Sequence, residues 1–184
     1  MRQLLSDSSA EVRINASAAV CNLVLAFSAC RSESLKNGGV SKLAELTRAS
    51  QPELRCNAIW ALRNLVYEAS EDIKSEVLHL VGKETWEALL SDPFEELQVQ
   101  TMIVLRNIVS KNASLLVSSE LIDCRQMLLD KLTTENTEMR RQCLFVICHI
   151  CAHDSHRWFG MDPALLAHIR HGLVRGLLQG GSLS

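Results

Sequence analysis

Aromatic residues make up only 4% of this 184-residue chain. Its core must therefore be aliphatic. Glycine (8) and proline (3) are also scarce, which excludes collagen-like and Gly/Pro-rich disordered compositions. No Gly/Ser/Pro-rich linker occurs before Gly180-Gly181-Ser182. Neither sign of charge dominates: 19 basic against 21 acidic residues leave −2, so nothing favours bulk binding to nucleic acid or an anionic membrane. No apolar run approaches the roughly 18 residues of a membrane span. MRQLLSDSSAEVR carries no hydrophobic signal segment. The seven cysteines are odd in number and lack framework spacing, which fits reduced thiols and a cytoplasmic and nuclear location. Gly-rich phosphate loops, GxSxG and HExxH are absent. No catalytic residue and no cofactor is assigned, and the chain is not expected to be an enzyme.

What is present is an aliphatic helical pattern. The 47% of hydrophobic residues suffices for a core. In QPELRCNAIWALRNLVYE, Leu54, Ala58, Ile59, Leu62, Leu65 and Val66 recur at helical spacing and form one apolar face. Pro52 suits a first helical turn, and Ser50 is the expected N-cap. Asn57, Trp60 and Asn64 line up on another side. That stripe of two amides and one large ring is unlike a solvated Glu/Lys face.

The stretch recurs. Asn22, Asn64, Asn107 and His149 follow one another at 42, 43 and 42 residues. So do the pairs Val12-Arg13, Leu54-Arg55, Leu97-Gln98 and Met139-Arg140. Two anchors in constant register establish an internal repeat, and a helical period in the low forties points to HEAT or armadillo repeats. Each unit reads as a short, a middle and a long helix. Gly38-Gly39 and Gly82 break the first from the second. Three helices per unit favour armadillo over the two-helix HEAT repeat.

The expected fold is all-α: an armadillo-repeat right-handed superhelical solenoid of about four repeats, as a single domain over 1–184. A partial repeat covers 1–27, repeats cover 28–69, 70–111 and 112–152, and a partial repeat covers 153–179. Met1 to Leu5 is too short for an element. Ser8 and Glu11 have capping-box spacing before a long helix ending near Phe27. Asp92-Pro93 is expected to cap and open another. Further helices are expected near 33–37, 113–120 and 163–178.

The array thus starts in mid-repeat. Val12, Ala16, Ala19, Val20 and Leu23 would be exposed. Either the chain is a piece of a longer array or a partner covers that end, and in isolation the patch promotes association.

Cys143, Cys148, His149, Cys151, His153 and His156 crowd one stretch and invite a zinc reading. The register opposes it. Cys143 occupies the position of Ala16 and Ala58, and Cys151 that of Val24 and Val66. Both are core positions, where cysteine packs as a small hydrophobe. No metal ligand is assigned. Glu95-Glu96 sits in a first helical turn and complements the helix dipole.

VSKLAELTRASQPELRCNAIWALRNLVYEASEDIKSEVLHL, followed by WEALLSD, resembles the C-terminal armadillo region of the armadillo-repeat-containing protein 8 family. The match rests on Leu54-Arg55, Asn57, Ile59-Trp60-Ala61-Leu62, Asn64, Ile73-Lys74 and Leu89-Leu90-Ser91-Asp92, with Ala19-Val20-Cys21-Asn22-Leu23. It runs over most of Ala10 to Ser110. That family is the scaffold subunit of the GID/CTLH ubiquitin ligase. The resemblance implies a non-catalytic subunit bridging a substrate receptor and a ligase core, with those protein subunits as partners; from the balanced charge neither nucleic acid nor membrane is expected as a partner.

In armadillo proteins the long helices line a concave surface. Three rows would lie on it: Asn15, Asn57, Gln100 and Gln142; then Trp60, Ile103 and Phe145 with Ala18; then Asn22, Asn64, Asn107 and His149. Such amides can pair with both N–H and C=O of an extended peptide, or bond neighbouring repeats. Arg63 and Arg106 beside Trp60 would repel lysine-rich segments, so acidic or neutral segments fit the groove. The second reading is a groove-type peptide adaptor in nuclear transport or adhesion.

Overall fold

The computed structural model describes residues 3–26, 38–110, 115 and 125–153. The expected helices near 33–37, 113–120 and 163–178 lie outside these, apart from the single residue 115. The chain divides into two compact units, Met1–Asn107 and Ile108–Ser184. Among the described residues all regular structure is helical: α1 (Ala10–Ala26), α2 (Gly39–Leu46), α3 (Pro52–Val66), α4 (Glu71–Val81), α5 (Lys83–Leu90), α6 (Glu95–Val109), α7 (Arg125–Leu132) and α8 (Thr137–His153).

In the first unit α1 packs along α3, and α2 packs on α3 and α4. The apolar face read from the repeat is the core: Leu54, Ala58, Ile59, Leu62, Leu65 and Val66 are all buried. Trp86, from the short α5, is fully buried, and its indole N–H donates to Leu78 O at 3.4 Å. Burying the largest side chain together with its donor satisfied avoids an orphaned polar group. Gly82, at φ 78°, ends α4 and starts α5. In the second unit α7 packs on α8, with Leu128, Leu132, Met139, Val146 and Ile147 buried.

Three caps differ from expectation. Ser9, not Ser8, sits at the start of α1: its Oγ accepts from Val12 N–H at 3.5 Å, while Asp7 Oδ1 accepts from Ser9 N–H. Gln51 occupies the N-cap of α3, and Ser50 bonds the Gln51 side chain instead. Asp92 and Pro93 precede α6, which starts at Glu95. Asp92 Oδ1 closes a local turn by accepting from Phe94 N–H at 3.0 Å. The amino end is also less open than expected. Leu4–Ser6 forms a single 3-10 turn that packs on α1 and buries Leu5. Of the five apolar residues expected bare, Val20 is buried, Val12, Ala16 and Leu23 are half-buried, and only Ala19 is exposed.

The polar member of each repeated pair proves to be a staple. Arg13 Nη1 donates to Asp7 O, Arg55 Nη1 to Ala49 O, Gln98 Nε2 to Asp92 O and Arg140 Nη1 to Thr134 O. The acceptor is the carbonyl six residues upstream in every copy. A long donor at the fourth residue of each long helix thereby holds the preceding loop against it and bonds that loop's main chain.

Glu68 is the one non-glycine with positive φ among the described residues, at 53°. It follows Tyr67, the C-cap of α3, in the left-handed position that glycine takes without steric cost. Glu68→Gly is expected to stabilise the fold by about 0.5–1 kcal/mol. A thermal melt checks this, and an unchanged or lower midpoint would contradict it.

Candidate functional site

The long helices α1, α3 and α6 carry the amide rows. Asn57 Nδ2 donates to Ile14 O at 3.2 Å and to Ser17 Oγ at 2.9 Å, across to α1. Asn64 Nδ2 donates to Cys21 O at 3.4 Å, and Asn107 Nδ2 to Arg63 O at 3.4 Å. Each of the last two reaches the carbonyl just before the equivalent asparagine of the preceding copy. The rows therefore form a ladder of ties between neighbouring long helices, the second of the two uses their sequence left open. Asn64 is only 5% exposed, and Gln100 and Asn107 are buried beside it.

The two arginines belong to the same network. Arg63 Nη1 donates to Gln100 Oε1 at 2.7 Å, and Gln100 Nε2 donates to Glu96 Oε1 at 2.7 Å. Arg106 Nη2 donates to Asn107 Oδ1 at 3.2 Å. Both arginines are half-buried. Their charge lies over the ladder, in contact with neighbouring amides. Burial pushes the Cys21 thiol above its usual pKa, with Arg63 pulling the other way.

What remains presented to solvent is the ring. Trp60 is 41% exposed, directed away from the buried face of α3. Ile103 and Ala18, its equivalents on α6 and α1, are half-buried, and Asn15 and Asn22 are exposed. In the second unit, considered by itself, Phe145 is 38% exposed on α8. Gln142 is buried and donates to Glu138 Oε1 at 2.6 Å, repeating the Gln100–Glu96 bond. His149 Nδ1 lies 2.7 Å from Phe145 O.

Sequence reasoning missed the acidic row. Glu11, Glu53, Glu96 and Glu138 occupy one register position, in the first turn of each long helix. There a carboxylate complements the helix dipole and, in two copies, accepts from the glutamine one turn on. The constant spacing was the signal.

Of the cysteine–histidine stretch, Cys143 is buried and its Sγ donates to Leu128 O at 2.9 Å, whereas Cys148 is exposed. The Cys151 and His153 side chains and His156 lie outside the described residues. Burial pushes the Cys143 thiol far up, which suppresses the reactive thiolate. Iodoacetamide is therefore expected to label Cys148 in the native protein, and Cys143 at least about tenfold more slowly until the chain unfolds. Peptide mapping checks this, and equal native labelling would contradict it.

The armadillo/beta-catenin-like repeat family matches residues 28–67. A computationally designed armadillo-repeat protein for modular peptide recognition superposes with a TM-score of 0.78 at 19% identity, covering 94% of this chain and 79% of that one. The fold is an armadillo-repeat fold. Over 110 residues the chain is 36% identical to armadillo repeat-containing protein 8 of Danio rerio, which covers 60% of this chain and 16% of the relative. Over 158 residues it is 32% identical to GID complex subunit 5 of Schizosaccharomyces pombe, covering 83% of this chain and 20% of that protein. The chain thus spans a fifth or less of the length of these two relatives.

Proposed function

We propose that this armadillo chain is a non-catalytic protein-interaction scaffold and acts as a subunit of a GID/CTLH-type ubiquitin ligase, between substrate receptor and ligase core. The observation that carries this reading is the likeness over 110 to 158 residues to armadillo repeat-containing protein 8 and GID complex subunit 5. The working surface in this proposal is the ring-bearing side of the long helices. Trp60 is its anchor, with Ile103, Asn15 and Asn22 around it and Arg63 and Arg106 favouring acidic or neutral segments. Half-exposed aromatics on a rigid helix suit this role because they bury much area while losing few rotamers. Repeats at 28–69, 70–111 and 112–152, with partial units before and after, and a cytoplasmic and nuclear location, belong to the same proposal.

The test is affinity purification of the tagged chain from native extract with mass spectrometry. RING-type and LisH-type ligase subunits are expected among the enriched proteins. If none is enriched over a control bait, the ligase reading fails and only the scaffold reading stands. The adaptor reading is favoured by one observation, the exposure of Trp60 within amide rows. It predicts enrichment of transport or adhesion cargo instead.

A further inference from the structure

Phe94 breaks the pattern of its own repeat. Ser9, Gln51, Phe94 and Asn136 follow one another at 42, 43 and 42 residues, each immediately before a long helix. A polar side chain there can accept from the orphan N–H groups of the first turn. Ser9 Oγ does so from Val12 N–H at 3.5 Å, and Asn136 Oδ1 from Met139 N–H at 2.9 Å. A phenyl ring cannot. Phe94 gives up the cap and leaves a large apolar ring 51% exposed. Neither choice helps folding, and a residue that breaks a local rule without a folding gain points to function.

The ring stands on a fixed base. Pro93 restricts the backbone before it. Asp92 Oδ1 accepts from Phe94 N–H at 3.0 Å, Phe94 O accepts from Leu97 N–H at 3.0 Å, and Gln98 Nε2 donates to Asp92 O at 2.6 Å. Arg55 Nη2 holds Asp92 Oδ2 from α3 at 2.8 Å. Ordering this knob against a partner therefore costs little. Its flanks are acidic. Glu95 and Glu96 follow it, Glu53 lies in the first turn of α3, and all three are exposed. The Cys56 thiol senses this edge: burial raises its pKa most, Arg55 opposes, and Asp92, Glu53 and Glu96 raise it further. We propose that Phe94 centres a second interaction surface, at the amino-terminal ends of α3 and α6, and inserts into an apolar socket of a partner protein rimmed by lysine or arginine. The rim follows from charge complementarity to Glu53, Glu95 and Glu96, and the socket from an exposed aromatic on a rigid backbone. An acidic segment, which suits the Trp60 side, is repelled here. Ile103, the equivalent of Trp60 on α6, lies nine residues further on, roughly 14 Å of helix rise. The surface is thus separate from the Trp60 side, goes beyond the scaffold reading and does not depend on it.

The probe is the photo-crosslinker p-benzoylphenylalanine in place of Phe94 in the tagged full chain, irradiated in native extract, with the same probe in place of exposed Ser75 as control. Adducts are digested and sequenced. The expected adduct is to a different protein, is absent from the control, and maps to an apolar site bordered by Lys or Arg. Glu53→Gln with Glu95→Gln is expected to lower its yield at least about threefold. The protein so identified is then purified and titrated against the parent chain and Phe94→Asn. Phe94→Asn is expected to weaken binding at least about tenfold yet to melt at or above the parent midpoint, because asparagine restores the cap seen at Asn136. The proposal is overturned if the probe at Phe94 gives no adduct beyond the control, if the adduct joins two copies of this chain, or if it maps to an acidic site. It is equally overturned if loss of the glutamates leaves the yield unchanged, or if Phe94→Asn binds as tightly as the parent. A lower midpoint for Phe94→Asn also overturns it, since the ring then serves the fold.

Discussion

Leu62→Ala is expected to cost about 2–5 kcal/mol of stability, whereas Trp60→Ala, two residues away, costs about 1 kcal/mol or less. The difference comes from facing, not size. Leu62 is fully buried among the apolar residues of α3, so its truncation removes transfer energy and leaves a cavity. Trp60 is 41% exposed, so much of its ring already meets water. Matched chemical or thermal melts of the two variants decide the matter. If Trp60→Ala unfolds as readily as Leu62→Ala, Trp60 is a core residue and cannot anchor a partner.

Arg55→Ala is expected to cost about 3 kcal/mol, far above an ordinary surface substitution. Arg55 Nη2 pairs with Asp92 Oδ2 at 2.8 Å, with the two side chains only 17% and 9% exposed. Nε bonds the same oxygen at 2.9 Å, and Nη1 reaches Ala49 O and Ser50 O at 3.0 Å. Removing the arginine strands a buried carboxylate and releases two loop carbonyls from the helix. The contrasting substitution is Arg141→Ala. Arg141 pairs with Glu138 at 2.7 Å, but the side chains are 60% and 40% exposed, so the loss should stay within about 0.5 kcal/mol. Denaturant titration of both variants checks the ranking. Asp92→Ala combined with Arg55→Ala should cost less than the two changes summed, since the second removes the group the first strands. Similar costs for Arg55→Ala and Arg141→Ala would mean that the staple does not hold the loop.

The repeat was legible because two anchors, one apolar–polar pair and one position held by three asparagines and then His149, kept nearly the same interval through four copies. That register fixed the long helices and their buried faces, and with them the exposure of Trp60. The Val81–Gly82–Lys83 break was legible for a local reason: the backbone there needs a positive φ that glycine supplies. The caps were misread by one or two residues. Ser8, Ser50 and Asp92 have capping chemistry, but capping depends on which neighbour's N–H points outward, and composition does not show that.

The amides are the instructive case. Asn64 or Asn107 spaced one repeat apart can face a partner or bond the previous helix, and spacing alone is the same for both. Only the position of the Cys21 and Arg63 carbonyls distinguishes them. Arg63 looked like a free groove charge, yet Gln100, on the next long helix and six residues before the equivalent Arg106, lies 2.7 Å from its guanidinium. Such contacts between copies arise from the stacking of helices, which a single chain read in order does not display.

The central claim is that the exposed ring of the long helix is where this armadillo chain holds its partner. The most direct measurement is the dissociation constant between the purified chain and the partner recovered by affinity purification, for the parent and for Trp60→Ala with a parent-like melt. A loss of roughly 2 kcal/mol, about thirtyfold in Kd, is predicted. A Kd for Trp60→Ala within about twofold of the parent, a change of less than 0.5 kcal/mol, would contradict the claim.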